Sequence, residues 1–414
     1  MRILILGGGN CQVNAILRAK EKGCEVIVSD YYDDAPGKEY CDFKELVSTF
    51  DIEDNIEVAK KYKIDGVMTI GTDQPVYTAA NIAKELSLPS NIDVFTAKAV
   101  TNKRVMKNIF KKNGIPTTKF AFIRRGFSDR ELESLSFPVV VKPLDSQGQR
   151  GVYKLESIQE VRSCIDNVLS FSREEEILVE EYYKNDEITI SGWVKDDRVH
   201  ILTVTDRVTY DNYPHIGICI AHDFPSKHLN EYHKEIEEIT NEIVKGFEIH
   251  NGPIYFQMLV GAEGIKVNEI ACRIGGAYED EFIPLLTEVD ILDMLIDSSL
   301  GIEVNDSKLM SYNLADNNKA LSVQLFFARP GVIESLGDMN QVKKLPGVAS
   351  AKFNFNPGDE IKEIKNATQR AGYFIVEGKD SKTLNENIDR VFKKLSIYDN
   401  DGNNLIVDLR RSKV

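Results

Sequence analysis

Apolar and polar positions along the first 95 residues predict strands and helices in turn. The pattern predicts strands at 2–6, 25–30 and 66–70, and helices at about 11–22, 53–62 and 75–86. Strands that alternate with helices favour a parallel sheet with covering helices. We therefore expect an α/β fold whose N-terminal domain is Rossmann-like.

The first strand runs into a cluster of glycines, Gly7-Gly8-Gly9-Asn10-Cys11-Gln12. A buried strand, a glycine turn and a helix together suit an anion, because backbone N–H groups can approach it unhindered. The dinucleotide fingerprint G-x-G-x-x-G is met at Gly7 and Gly9 but fails at Gln12. Asp30 ends the second strand, where a ribose-binding carboxylate would lie. Two interpretations remain open: an NAD site, or a Rossmann-like turn without a dinucleotide.

The strand at 66–70 leads into a second loop, Gly71-Thr72-Asp73-Gln74-Pro75. Parallel sheets bind ligands at this carboxyl edge, so the loop is a candidate for ligand contact. Thr72 or Asp73 is equally suited to cap the next helix, with Pro75 in its first turn.

The middle of the chain carries a lysine strand, a glycine loop and an acidic, aromatic strand end. Lys142 lies in an apolar strand over 137–143, and the loop 144–152 that follows has glycines three residues apart. Such a loop exposes amides that can fold over a phosphate, although glycine loops are also common turns. Acids and aromatics at 177–183 and 186–191 suit a hinge that reads a flat base, or serve solubility alone.

The segments 252–260 and 265–276 predict an antiparallel hairpin around a short glycine-containing loop. Gln257 then lies opposite Asn268, or opposite Glu269 if a bulge adds one residue. In the bulged register, period-two alternation puts Asn268 on the other face and places three residues on the face of Glu269: Val267, Ala271 and Arg273. An amide, a carboxylate and a guanidinium on one face suit magnesium and a phosphorylated species. A cross-strand polar pair with a surface ion pair is the alternative.

Composition narrows the class of protein. The chain has 414 residues, a length for which two or three domains are expected, and a net charge of −14, which disfavours general nucleic-acid binding. Its six cysteines form no C-x-x-C pair, so we expect reduced thiols and no zinc site. The N-terminal apolar run is too short for a signal peptide or a membrane span. We therefore expect a cytoplasmic protein with no membrane partner.

Seven motifs, taken in order, resemble those of the ATP-grasp superfamily. They are GGGxxQ at 7–12, Lys103 after Asn102, VVKP at 140–143, the glycine loop, VEEYY at 179–183, the metal hairpin and RIGG at 273–276. The resemblance covers nearly the whole chain and implies a mixed α/β (α+β) fold in three domains. These are a Rossmann-like domain at 1–95, an ATP-grasp domain at 96–305 with a lid subdomain at about 116–180, and a C-terminal α/β domain at 306–414. The last resembles the closing domain of biotin carboxylases and amino-acid ligases.

The resemblance also implies where ATP binds. Lys103 and Lys142 would contact its phosphates, and residues 146–151 would form a mobile lid. The lid contacts would come from Ser146, Gly148 and Gly151. Glu180 would accept a hydrogen bond from the adenine amino group.

Further along the chain, the resemblance assigns the rest of the nucleotide and metal site. Glu187 would hold the ribose hydroxyls, beside a hinge formed by Glu181, Tyr182 and Tyr183. Gln257 and Glu269 would bind magnesium. Arg273 would lie at the transferred phosphate or the acceptor carboxylate.

Two departures from the family pattern concern this metal site. Gln257 replaces the usual first acid, as in carbamoyl-phosphate synthetases, and Ala271 replaces an expected asparagine. Three nearby acids are candidates to help magnesium, or else form a solvated helix start: Glu279, Asp280 and Glu281.

The acceptor pocket is expected to involve 205–207 and 213–215. His215 is either a contact to the acyl phosphate or substrate carboxylate, or a structural loop residue. The catalytic candidates are thus Lys142, His215 and Arg273.

The resemblance implies an ATP- and Mg²⁺-dependent carboxylate–amine ligase that forms an acyl phosphate, most like an L-amino-acid ligase. The alternatives are a purine-pathway or carbamoyl-phosphate-synthetase-like enzyme, an NAD-dependent oxidoreductase, and a nucleotide sensor with a degraded site. Expected partners are small-molecule carboxylate and amine substrates, in a homodimer.

Overall fold

The N-terminal part is a four-stranded parallel sheet covered by helices, as the alternating pattern predicts. The computed structural model describes residues 1–411. The strand order is β3-β2-β1-β4, and the pairings β2–β1 and β1–β4 are parallel. The elements are β1 (Arg2–Leu6), α1 (Val13–Glu21), β2 (Glu25–Ser29), β3 (Phe43–Glu45), α2 (Ile52–Tyr62), β4 (Gly66–Met68) and α3 (Gln74–Leu86). The three-residue β3 is too short for its periodicity to reveal it, and β4 ends two residues earlier than predicted.

Two helices, α4 (Val94–Thr101) and α5 (Lys103–Asn113), lead into a subdomain with a hydrophobic core of its own. Its elements are β5 (Phe120–Arg124), β6 (Val139–Pro143), β7 (Tyr153–Leu155), α6 (Ile158–Leu169) and β8 (Glu176–Glu181). The glycine loop 144–152, here named the lid loop, connects β6 to β7. This arrangement places Lys142 at the end of a buried strand, directly before the lid loop.

The central domain contributes the long antiparallel strands. Its elements are β9 (Asn185–Lys195), β10 (Arg198–Asn212), β11 (His215–Phe224), α7 (Leu229–Gly246), β12 (Asn251–Gly261), β13 (Gly264–Ala271), α8 (Glu279–Thr287), α9 (Ile291–Ser299) and α10 (Ser307–Ser311). The strand order β13-β12-β9-β10-β11-β7-β6-β8-β5 joins this domain and the lid subdomain in one sheet.

The C-terminal part is mixed α/β, as expected. Its elements are β14 (Ala320–Ala328), β15 (Gly331–Val332), β16 (Ser335–Leu336), α11 (Met339–Lys343), β17 (Val348–Phe353), β18 (Glu360–Ile361), β19 (Gly372–Gly378), α12 (Ser381–Lys394), β20 (Ile397–Tyr398) and β21 (Ile406–Val407). Strand β14 pairs with β11 and β19, so the large sheet continues into this part. Within residues 1–411, no helix combines the length and apolar character that a membrane span requires.

Candidate active site

Residues from all three parts of the chain line one cavity of about 1170 Å³. Of the fourteen residues expected to have a catalytic, nucleotide-binding or metal-binding role, twelve line it: Lys103, Lys142, Ser146, Gly148, Glu180, Glu181, Tyr182, Tyr183, Glu187, Gln257, Glu269 and Arg273. Gly151 and His215 are not among the lining residues. His215 instead packs its ring against Tyr153, with centroids 5.0 Å apart.

The hairpin β12–β13 has the bulged register, with Gln257 opposite Glu269 and Met258 opposite Val267. Asn268 is therefore the extra residue of the bulge. Both Asn268 and Glu269 line the cavity, whereas Val267 is buried in the hydrophobic core. The expectations that Asn268 points away and that Val267 shares the face of Glu269 are wrong, because the bulge shifts the alternation by one residue.

At one end of the cavity, Glu180 is held between two lysines. Its carboxylate oxygens lie 2.6 Å from Lys107 Nζ and 2.5 Å from Lys142 Nζ, and Thr118 donates a further hydrogen bond. Burial raises the pKa of Glu180, but the two ammonium groups outweigh it and lower the pKa well below its ordinary value. Lys107, which the sequence did not single out, is 1% exposed. Glu180 is thus a fixed anion, and Lys142 also donates to Asn268 Oδ1 at 2.7 Å.

Lys103 connects the lid loop to the hairpin. Its ammonium group donates to the Ser146 carbonyl at 2.9 Å and lies 3.0 Å from Glu269. Burial raises the pKa of Glu269, but the charges of Lys103, Lys142 and Arg273 outweigh it and lower the pKa. The carboxylate expected to bind metal is therefore ionised and surrounded by cations.

The oxygen donors of the hairpin fit a magnesium ion that also binds phosphate. Gln257 Nε2 donates to Glu187 at 2.7 Å, and Arg207 donates to the same carboxylate oxygen at 2.5 Å. Because a carboxylate only accepts hydrogen bonds, this contact leaves Gln257 Oε1 free for a cation. One carboxylate and amide oxygens suffice for Mg²⁺ when phosphates and waters complete its shell. Ala271 lines the cavity but offers no ligand.

Asp73 pairs with Arg273 across the domain boundary. Its Oδ1 accepts from Arg273 Nε at 2.6 Å and also lies 2.6 Å from Nη2. Asp73 occupies the N-cap position of α3 but makes no side-chain cap, and Pro75 lies in the first turn. Both Thr72 and Asp73 line the cavity. The loop thus begins a helix and also reaches the site.

The acidic run at the start of α8 is not a solvated helix start, because Glu279 and Asp280 are 1% and 7% exposed. Glu279 accepts from Ser191 and from the Gly275 amide, and Asp280 accepts from Asn14. Glu281 accepts from Asn14 and Tyr373. None of the three acids is among the described residues that line the cavity. The structure thus assigns them contacts at a junction of three domains and none at the expected metal site.

Close backbone approach explains the glycines of RIGG. A Cβ atom on Gly276 would lie 2.5 Å from the Gly71 carbonyl oxygen, and one on Gly275 would lie 2.3 Å from the Glu279 carboxyl group. The Gly71 amide in turn donates to the Ile274 carbonyl at 3.0 Å. These contacts hold the loop of Asp73 against the strand end that carries Arg273.

The Gln12 side chain packs against the glycine turn that follows β1. Gln12 is 1% exposed, donates to the Ile70 carbonyl at 2.7 Å, and lies 3.3 Å from where a Cβ of Gly7 would be. Asp30 accepts from the Gly8 amide at 2.8 Å. Gln12, which replaces the third glycine of the dinucleotide fingerprint, therefore joins the loop after β1 to the loop after β4.

Two cavity residues that the sequence did not single out lie near Arg207, at the end of the cavity where the acceptor pocket is expected. This end is here named the acceptor end. His222 is 2% exposed, its Nδ1 lies 3.1 Å from Thr205 Oγ1, and burial lowers its pKa to about 4. Arg370 Nε is buried without a hydrogen-bond partner in the described part of the chain. Arg207, inside the expected 205–207 segment, also lines this end. A histidine within a strand has no local signal that separates it from a core residue.

Comparison with known proteins finds family models and relatives that match this chain. Residues 135–281 match a family model described as an ATP-grasp domain, and residues 323–399 match the L-amino acid ligase C-terminal domain 2. A phosphoribosylamine–glycine ligase of Methanococcus maripaludis is 26% identical over 350 residues, or 77% of this chain and 76% of that protein. An uncharacterized protein of Sinorhizobium fredii is 22% identical over 77% of this chain, which spans 65% of that protein's length.

Solved structures share the whole fold. The L-amino acid ligase from Bacillus licheniformis has a TM-score of 0.81 at 18% identity, covering 96% of this chain and 98% of that one. N5-carboxyaminoimidazole ribonucleotide synthetase from Thermotoga maritima has a TM-score of 0.72 at 19% identity, covering 96% and 99%. The chain therefore carries an ATP-grasp domain over residues 135–281, and its fold is the one that these ligases and synthetases share.

Proposed function

We propose that this chain joins a small carboxylate to an amine at the expense of ATP, as an L-amino-acid ligase does. One observation carries the proposal: Glu269 lies among Lys103, Lys142 and Arg273, where the nucleotide end of the cavity meets the acceptor end. A phosphoryl group passing between the two ends would move within this cluster of cations. The match of 323–399 to an L-amino acid ligase domain favours amino acids as substrates.

The nucleotide end suits an adenine and a phosphate chain. Glu180 is ionised, and its pairs with Lys107 and Lys142 hold the carboxylate in one position. The carboxylate is thus placed to accept a further hydrogen bond from the exocyclic amine of adenine. Lys103 and Lys142 lie beyond it, on the side of the lid loop. Tyr182 and Tyr183 line the same end and offer backbone groups to the ring.

The reaction starts when a substrate carboxylate oxygen attacks the γ-phosphorus of ATP, with ADP as the leaving group. Lys103, Lys142 and Arg273 would neutralise the charge that spreads over the transferred group. Glu269 and Gln257 would hold magnesium, which when bound neutralises phosphate oxygens. The lid loop covers this region and would exclude water from the acyl phosphate.

The second half-reaction needs an unprotonated amine. It attacks the acyl carbon, forms the amide bond and releases phosphate, and the ammonium proton must leave. The released phosphate takes up this proton, so the step balances without a buried base. Burial lowers the pKa of His222 to about 4, so its ring stays neutral at pH 7 and adds no positive charge beside the incoming amine. Burial raises the pKa of the cavity thiol Cys11 to about 11, so the thiol stays protonated and is a poor nucleophile.

A second candidate is a ligase of phosphorylated purine precursors, favoured by the 26% identity to phosphoribosylamine–glycine ligase. Such a substrate would bring a phosphate that needs several uncommitted cations. Arg273 and Arg207 are each paired with a carboxylate, whereas Arg370 donates through Nη1 to the Gly276 carbonyl at 3.5 Å and has no partner for Nε among the described residues. One guanidinium matches one carboxylate, and this supports the amino-acid candidate.

The test is a pairwise screen of amino acids with ATP and magnesium, with ADP release and product mass both recorded. A dipeptide formed in equal amount to ADP is the expected result, with Lys142→Met as the inactive control. Turnover only with phosphoribosylamine and glycine would favour the second candidate. Tight ATP binding with no ADP from any pair would instead indicate a nucleotide sensor. Stabilisation by NADH and not by ATP with magnesium would contradict an ATP-dependent ligase.

A further inference from the structure

The aspartate that begins α3 does not behave like other aspartates at helix starts in this protein. At five helices the N-cap aspartate accepts a hydrogen bond from a backbone amide of the first turn: Asp51, Asp93, Asp290, Asp338 and Asp380. In the described residues, two N-cap aspartates make no such bond, Asp73 and Asp306, and each is held by a cation instead. For Asp73 the cation is Arg273, the guanidinium at the centre of the cavity.

The first two amides at the start of α3 are bound from the lid loop. Gln147 accepts through Oε1 from the Asp73 amide and from the Gln74 amide at 3.4 Å. Of the next two residues, Pro75 has no N–H, and the Val76 amide donates to the Asp73 carbonyl, so neither donates to the Asp73 carboxylate. Gln147 therefore fixes the backbone at Asp73 from 74 residues away along the chain.

The lid loop also touches the C-terminal domain. The Gly148 carbonyl accepts from the Ala367 amide at 3.1 Å. The contacts of Gln147 and Gly148 thus span the cavity, so both form only when the loop lies over it. The hold that Gln147 has on the backbone at Asp73 therefore depends on the position of the lid loop.

We propose that Gln147 is a positioning residue that couples lid closure to Arg273 through Asp73. With the loop closed, Gln147 fixes the backbone at Asp73 and so places its carboxylate against the guanidinium fork of Arg273. With the loop open, the Asp73 and Gln74 amides lose this acceptor, and the backbone that carries the carboxylate is no longer held. Arg273 is therefore fixed only when the lid loop covers the cavity. The inference rests on the proposed function only for the role of Arg273 in the reaction.

A double-mutant cycle tests the coupling. Gln147→Met keeps the side-chain length and removes the acceptor. We expect it to lower kcat about tenfold with KM for ATP changed less than about twofold, because the acting group is misplaced while the nucleotide contacts remain. In an Asp73→Asn background the same change should have little further effect, because Gln147 acts through Asp73. Additive losses, an unchanged kcat, or a loss confined to KM would overturn the proposal.

Hydrogen exchange provides a readout that needs no turnover. With magnesium and a non-hydrolysable ATP analogue, the Asp73 and Gln74 amides should be protected in the wild type and should exchange faster in Gln147→Met. Melting temperatures of both variants check that the fold is intact. Equal protection in wild type and Gln147→Met would overturn the inference even if the ligase reaction is found. Loss of protection in the variant would support it even if the proposed substrates are wrong.

Discussion

Lys103 Nζ lies 3.0 Å from the Glu269 carboxylate, so the acid proposed to bind a metal is neutralised by the lysine proposed to contact the ATP phosphates. The positive charge of Lys103 therefore offsets the negative charge of Glu269. Magnesium and ATP would arrive together, with the metal replacing the lysine at Glu269 and the phosphates receiving it. This exchange explains how a site with one carboxylate can be ordered before its ligands bind.

Replacing this carboxylate should separate nucleotide binding from turnover. We expect Glu269→Gln to lower ADP release by about 10²- to 10³-fold, because charge on the transferred phosphoryl group loses its stabilisation. Binding of ATP without magnesium should persist, since Lys103 is then free for phosphate. An ADP assay across magnesium concentrations and calorimetry with ATP alone measure the two effects.

The matched control is Glu263→Gln, at the turn of the same hairpin, where the side chain is 75% exposed. It should leave both ADP release and nucleotide binding unchanged. Wild-type turnover in Glu269→Gln would show that the metal assignment is wrong.

The hairpin marks how far sequence reasoning reaches. Alternation and the short turn predicted the two strands but left two registers open for Gln257, and the structure has the bulged one, with Gln257 opposite Glu269. Alternation could not place Asn268, because a bulge changes the phase of every residue beyond it. The contact of Gln147 with the start of α3 has no local signal at all, since it joins segments 74 residues apart.

The start of α8 shows a different limit. Three acids in the first turn of a helix are normally solvated and favoured by the helix dipole, so the pattern Glu279-Asp280-Glu281 indicated an exposed helix start. Here Asn14 and Tyr373, from the two flanking domains, cover them. Burial created by domain assembly is not encoded in the local pattern.

The buried His222 should make the protein less stable in acid. Burial lowers its pKa to about 4 from an ordinary 6.5, so the unfolded chain binds its proton first as the pH falls. The stability contribution is complete above pH 6.5 and is lost as the pH falls towards 4. Between pH 7.5 and pH 4, we expect the free energy of unfolding to fall by about 3 kcal/mol more in the wild type than in His222→Gln. Urea unfolding of both proteins from pH 4 to 7.5 measures this difference.

His250 provides the control for this comparison, because it is exposed and its pKa is raised by the hydrogen bond to Asp197. His250→Gln should not reduce the acid slope. A wild-type slope in His222→Gln would contradict the assignment of His222 as a buried neutral group.

Asp280 should act in the opposite direction. Burial raises its pKa to about 7 from 3.8, so the folded protein holds this proton more tightly than the unfolded chain. Stability from this group is complete below pH 3.8 and is lost as the pH rises to 7.

The variant Asp280→Asn keeps an acceptor for Asn14 and carries no charge. We expect it to stabilise the protein above pH 7 by about 2 to 4 kcal/mol, and to have little effect near pH 4. The same urea series measures it, and equal stability of the two proteins at pH 7.5 would contradict a raised pKa of Asp280.

The approach of Gly276 to Gly71 should be needed for activity as well as stability. In Gly276→Ala the new Cβ would lie 2.5 Å from the Gly71 carbonyl oxygen, so backbone must move. The movement separates the loop of Asp73 from the strand end of Arg273, and we expect a loss of about 1 to 3 kcal/mol in stability. Because the Asp73–Arg273 pair is displaced, kcat should fall further than stability alone explains, by about 10²-fold at a temperature where the variant is folded.

The control is Gly126→Ala, in which the new Cβ meets no atom within 4 Å but the backbone has a φ of 75°. This variant should lose about 1 kcal/mol of stability, with kcat unchanged. Denaturant unfolding and initial rates of ADP release measure both quantities. If Gly276→Ala matches the control in kcat, the contact between the two loops stabilises the fold without positioning Arg273.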